Sequence, residues 1–308
     1  MTSKRYIYVA LAVCLLIIAF ATQINKCKLS DNDAINIAKL FYNNMSIGYA
    51  SEPFVKSKNI TELFEFGTNS KIVVVGDSDN KIIINCSNNN VEYFINTNIL
   101  HLAQTKYTFL INNKLVLKWP SFLSEQNAIE IIMSYAKRIG LPQDFECSKI
   151  NLDKYKGMWT ARWKRKFNGI EFEDDYIILS IMATDGELYG YTKWEKGEQC
   201  STEPKVSKAE AIGFANKKFA EYFSKDTWDK NKDKFEVKSA ELKIVQDKSN
   251  LKRILSLPNK SRLAWVVVFD TKKEMDRETI GILKEDLSFI RIDAATKEIL
   301  SSEINVVL

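Results

Sequence analysis

Histidine is almost missing from the sequence: His101 is the only one in 308 residues. A zinc site built from several imidazoles cannot be assembled, and neither can any mechanism that needs a second imidazole. The HExxH, GxSxG, phosphate-loop and GxGxxG signatures are absent as well. No two cysteines form a CxxC pair, so metal ribbons and redox motifs lack support. Basic charge is sparse for a nucleic-acid binder, with 44 Lys+Arg against 39 Asp+Glu and a formal net charge of +5. The sequence therefore predicts no nucleic-acid partner, no cofactor, no metal and no catalytic residue. What remains is ordinary globular composition, 45% hydrophobic and 27% charged, which argues against wholesale disorder.

One long apolar run is present. "MTSKR" is a short basic leader, "YIYVALAVCLLIIAFA" (Tyr6 to Ala21) carries no charge, and polar "TQINK" follows. Ala19-Phe20-Ala21 fits the small-x-small cleavage pattern, so residues 1–21 are expected to be a signal peptide or a membrane anchor. The run is slightly short for a comfortable span of about 20 residues. Positive charge before it would keep the N-terminus inside and export the rest, to the extracellular space or the outer face of the cytoplasmic membrane. Membrane contact is then expected only through residues 6–21, if they are not cleaved. Four cysteines follow the run: Cys27, Cys86, Cys147 and Cys200. They permit two disulfides in three connectivities, or four free thiols; the sequence leaves both open.

A helix start is written three times. "LSDNDAI" begins at Leu29, "LSEQNAI" at Leu123 and "VSKAEAI" at Val206. Ser30, Ser124 and Ser207 are each expected to cap a helix, their hydroxyls accepting from a first-turn N–H. Glu210 stands three residues after Ser207 and completes a capping box. Apolar steps of three and four follow: Ala34, Ala38, Phe41 and Met45; Ala128, Ile132, Tyr135 and Ile139; Ala211, Ala215, Phe219 and Tyr222. Strand-like segments follow each helix, with a hairpin signal at Asn168-Gly169 and turns at Thr184–Gly186 and Asp293–Lys297. The first copy carries an extra pair, "KYTFLINNKLVLKW". The expected architecture is α+β, as tandem units of one N-terminal helix on an antiparallel sheet. The units span 29–120, 123–204 and 206–304, the first being the most divergent.

Three features resemble exported bacterial proteins with tandem PepSY-like domains. They are the Ser-x-x-x-Ala-Ile helix starts, the run Trp159, Trp163, Lys164 to Lys166 with Asn168-Gly169, and the closing hairpin "IRIDAATKEIL" at Ile290 to Leu300. Lys297 stands where that pattern prefers Gly. The resemblance covers residues 124–303, and reaches 29–119 only through the helix start. It implies a PepSY/cystatin-like helix on a sheet and a non-catalytic role in the cell envelope, binding, inhibiting or stabilising a partner. That partner is expected to be an envelope protein or peptide, such as a peptidase or a cell-wall hydrolase. Spore-germination accessory proteins are similar in layout.

Few residues offer themselves as a site. Alternation puts Trp159, Ala161 and Trp163 on one face of a strand, and Thr160, Arg162 and Lys164 on the other. Trp159, Arg162, Trp163 and Lys164 are thus the candidate partner-binding set, against the plainer reading of a packed Trp face and a solvated basic face. Asp229, Asn231 and Asp233 have calcium-loop spacing, but Lys234 and Ala240 replace the required Gly and Glu. Glu171, Glu173, Asp174 and Asp175 read as a solvated hairpin tip. A carboxylate-dependent wall hydrolase and a structural envelope or spore-coat component are the alternatives to a binding protein.

Overall fold

The computed structural model describes residues 27–48, 51–58, 72–77, 79–86, 88–111, 114–195, 197–246, 260–271 and 287–305. The expected leader at 1–21 lies outside them. The chain is α+β. Helix α1 (Asp31–Met45) precedes strands β1 (Phe54–Lys58), β2 (Ile72–Gly76), β3 (Asn80–Asn85) and β4 (Val91–Asn96). Next come α2 (Thr97–Tyr107), β5 (Thr108–Ile111) and β6 (Lys114–Leu117). Helix α3 (Glu125–Ile139) leads into β7 (Phe145–Asp153), β8 (Met158–Phe167), β9 (Ile170–Met182) and β10 (Leu188–Trp194). Helices α4 (Lys208–Ala220) and α5 (Lys225–Asn231) lead into β11 (Phe235–Gln246), β12 (Ser261–Thr271), β13 (Ser288–Asp293) and β14 (Ile299–Glu303).

Two compact units form. One holds the described residues up to Gln143 with Cys147–Trp163 and Ile177–Trp194; the other holds Asp144–Glu146, Lys164–Tyr176 and the described residues from Glu195 onward. In the first unit β1 to β4 run as an antiparallel meander, and β4 pairs antiparallel with β10. In the second, β11 to β14 form another meander.

The three serines cap their helices. Ser30, Ser124 and Ser207 accept from the N–H of Asp33, Asn127 and Glu210 respectively. Each helix buries a stripe that begins with a small residue: Ala34 and Ala38, Ala128 and Ile132, Ala211 and Ala215. The missing Cβ branches let the helix lie close to its sheet. Larger residues follow and fill the space. Phe219 stacks on Phe269 at 4.3 Å and meets Phe235 edge-on at 5.3 Å, so α4 closes over β11 to β13 through Val267, Ile290 and Ile292. Tyr222 was expected in this stripe, but α4 ends at Ala220 and leaves it exposed.

The turns at 85–90, 182–187 and 293–298 repeat bond for bond. Asn85, Met182 and Asp293 each donate their N–H to the carbonyl five residues on, at Asn90, Glu187 and Glu298. Asn89, Gly186 and Lys297 each return an N–H to that first residue, and all three sit at positive φ (60°, 79° and 68°). The second position of the turn then ties to the lead-in of the helix. Ala183 accepts from the N–H of Leu123 at 2.7 Å, and Ala294 accepts from Val206 at 2.9 Å. In the first meander that position is Cys86, joined by a disulfide to Cys27 just ahead of α1. Cys147 and Cys200 are free thiols.

Gly186 shows why this turn constrains its residue. Besides its positive φ, an added Cβ would come within 2.6 Å of Ile131 Cδ1. Gly186→Ala is expected to lower stability by about 1–2 kcal/mol, read as a shifted urea midpoint with unchanged slope.

The capping box gives a pH signature. Glu210 takes the Ser207 N–H at 2.9 Å and pairs with Lys297 at 3.1 Å. Its carboxyl is held down to about 2, first by the Ser207 N–H, then by the Ser207 hydroxyl and Lys297. A lowered folded value means stability that is present above the carboxyl's ordinary value and lost as pH falls toward 2. The stability gap between the protein and Glu210→Gln should stay level above about pH 5 and shrink by at least half at about pH 2. Urea midpoints across pH measure it.

Candidate functional site: an ion-paired hairpin and an open strand edge

The β8–β9 hairpin carries every residue of the candidate set and the acidic cluster. Its turn forms at Asn168 and Gly169, both at positive φ, as the Asn-Gly pair requires. Along β8 the side chains alternate: Trp159, Ala161 and Trp163 are buried, while Thr160, Arg162 and Lys164 are half-buried. Trp159 and Trp163 are 7% and 3% exposed, so both rings are packed inside the protein. Trp159 Nε1 is buried without a hydrogen-bond partner among the described residues. Lys164 donates to the Glu173 carbonyl at 2.8 Å and lies 3.7 Å from the Glu171 carboxylate. The structure thus places the four candidate residues on one strand but turns the two indoles away from the two cations.

The acidic cluster is not a solvated tip. Within the second unit Glu171 pairs with Lys243 on β11 at 3.2 Å. Glu173 takes both arms of the Arg291 guanidinium from β13, at 2.6 and 2.9 Å. Asp175 is 1% exposed, pairs with Arg165 Nη1 at 3.0 Å and accepts from the Gly197 N–H. Arg165 itself is 12% exposed and also meets Asp144 at 2.7 Å, Glu195 at 3.7 Å and the Gly197 carbonyl at 2.7 Å. Its guanidinium lies over the Phe172 ring at 4.5 Å. Burial opposes the Arg165 charge, but the bonds to Asp144 and Asp175 outweigh it and raise its pKa. The same contest, settled by Glu173 and Glu303, raises that of Arg291. Sequence reasoning missed these pairs because their partners are 10 to 118 residues away along the chain.

Other sequence candidates fall elsewhere. Asp229 and Asn231 lie in α5 and Asp233 in a single 3₁₀ turn, Lys232–Lys234; Asp229 pairs with Lys232 at 3.4 Å. Among the described residues no group of three His, Cys, Asp or Glu side chains is placed to hold a metal. His101 is exposed on α2. The Cys200 thiol is pushed up by burial and by Asp293, which favours the unreactive protonated form. No described helix is long and apolar enough to cross a membrane.

An edge completes the geometry. Among the described residues β7 pairs only with β8, leaving its outer side open. It is nine residues long, and Glu146, Cys147, Ser148 and Lys149 are exposed in succession. Strands β1 and β14 are also edges, but are five residues each. The chain is similar to the Bacillus megaterium YpeB C-terminal domain. The match has 12% sequence identity and a TM-score of 0.44, covering 89% of this chain and 97% of that one. No family model matches the sequence, and no curated protein matches it.

Proposed function

We propose that this is an exported, non-catalytic binding protein of the cell envelope, built from three PepSY-like units, whose open edge strand β7 receives an extended segment of a partner. The open β7 edge carries this reading. A strand with one free side offers a row of unpaired N–H and C=O groups, and a peptide can add to it as a further strand. The buried Trp159 and Trp163 support it by fixing β8 to the core, because β8 is the strand that holds β7. Arg162 and Lys164 lie on the opposite face of β8, where Lys164 is held by the Glu173 carbonyl and the Glu171 carboxylate. The envelope partner is a peptidase or a wall hydrolase.

Three observations support the rest of the reading. The repeated turn at 85–90, 182–187 and 293–298, each following a Ser-capped helix, favours three tandem units at 29–120, 123–204 and 206–304. The Cys27–Cys86 disulfide favours an oxidising compartment outside the cytoplasm. A non-catalytic role is favoured because Glu171, Glu173 and Asp175 are each committed to a cation in an ion pair.

A photo-crosslinking residue at Lys149 tests the reading, with the same residue at exposed Leu40 on α1 as control. Recovery of one peptidase or wall hydrolase from the envelope through position 149, and not through 40, is the expected result. Recovery of nothing at 149, or of equal amounts at both positions, would sink it.

A further inference from the structure

Helix α2 and the β5–β6 hairpin have no counterpart between β10 and α4, where the chain runs on toward the next capped helix. Among the described residues they hold four of the eleven exposed large hydrophobic side chains. Leu102 on α2 and Phe109, Leu110 and Leu115 on the hairpin are all exposed. Leu110 and Leu115 are 70% and 78% exposed and stand directly opposite each other across the ribbon. Phe109 stands opposite Val116. Neighbouring residues on a strand point to opposite faces, so both faces of this ribbon are apolar. It forms a two-stranded sheet of its own. A ribbon standing in water should keep one face polar, and a lone hairpin is marginal there.

The charge along this segment has one sign. Lys106, Lys114 and Lys118 are exposed, and no carboxylate occurs between Glu92 and Glu125. Aromatic residues mark its base: Tyr107 lies 5.7 Å from Trp119, whose Nε1 donates to the Tyr155 carbonyl at 3.2 Å. The Lys118 N–H donates to the Tyr107 carbonyl at 2.8 Å. The ribbon is therefore tied at its root, while Phe109, Leu110 and Leu115 beyond it are exposed. A pocket on a protein partner would select one apolar face. Two apolar faces, three flanking lysines and an aromatic base instead suit a laterally uniform medium with negative headgroups.

We infer that α2 and the β5–β6 hairpin form a membrane-contact site that docks on an anionic bilayer, separate from residues 6–21 and independent of what β7 binds. Leu110, Leu115 and Phe109 enter the acyl boundary while Lys106, Lys114 and Lys118 meet the phosphates. The bilayer is set against two other occupants, a second copy and another segment of this chain.

Amide hydrogen exchange on the full chain decides between them. It is measured in phosphatidylcholine vesicles with and without phosphatidylglycerol. The expected result is slower exchange at 106–118 only when phosphatidylglycerol is present, abolished in Leu110→Glu/Leu115→Glu. Lys114→Gln and Lys118→Gln should each lower that protection about fivefold. Exchange in β2 to β4 checks the fold, and if the double variant disturbs it the two lysine variants decide alone. Equal exchange in both vesicle types would overturn the proposal and assign any protection to the chain's own residues. Protection that rises with protein density in phosphatidylcholine alone would overturn it in favour of a second copy.

Discussion

Replacing Arg165 by methionine is expected to lower the stability of the second unit by about 3–5 kcal/mol. Methionine keeps most of the apolar stem, so the change removes charge and hydrogen bonds more than volume. It removes the guanidinium paired with Asp175, whose carboxylate is almost wholly buried and also accepts from the Gly197 N–H. Asp144 and Glu195 also lose their shared cation. An exposed pair would cost no more than about 1 kcal/mol, since water and salt screen it. Here both Arg165 and Asp175 are shielded, and the penalty is that of an uncompensated interior charge. The double variant Arg165→Met/Asp175→Asn should recover part of the loss, because no buried charge is then left over. Urea unfolding followed by Trp228 and Trp265 fluorescence measures both. A single-variant cost below about 1 kcal/mol would show that the cluster is a screened surface network.

Removing the disulfide with Cys27→Ser/Cys86→Ser is expected to cost the first unit about 4 kcal/mol. The two cysteines are 59 residues apart, and an unfolded loop of that length loses much freedom when its ends are joined. Adding reductant to the unaltered protein should reproduce the shift in urea midpoint, while the second unit keeps its own. A shift below about 1 kcal/mol would mean that the hydrogen-bonded turn at Asn85 to Asn90 closes this unit without the covalent link.

Local features were legible and distant ones were not. The serine caps, the alanines under each helix and the Asn168-Gly169 turn all act within a few residues, and the sequence carries their marks. The turn at 85–90 was harder to see because Asn89 takes the left-handed position that Gly186 takes in its relative; a short polar side chain tolerates it. Helices α2 and α5 were not anticipated, since neither has a strong apolar stripe. The pairing of β4 with β10 and the bonds from Glu171 to Lys243 and Glu173 to Arg291 depend on strand register between distant segments. A charged residue in a hairpin looks solvated until that register is known. The same blindness applied to the cysteines: only the fold brings Cys86 to the lead-in of α1.

The disulfide also decides how the molecule bears tension. A pull applied to Cys27 from the N-terminal side passes straight through the two sulfurs into Cys86 and on toward β4. Helix α1 and strands β1 to β3 lie on the slack branch of that loop and are bypassed. The other two turns are closed by main-chain hydrogen bonds, from Leu123 to Ala183 and from Val206 to Ala294, which would yield long before a covalent bond does. The loop from Cys27 to Cys86 is thus a covalent shackle, and stretching would begin downstream of it.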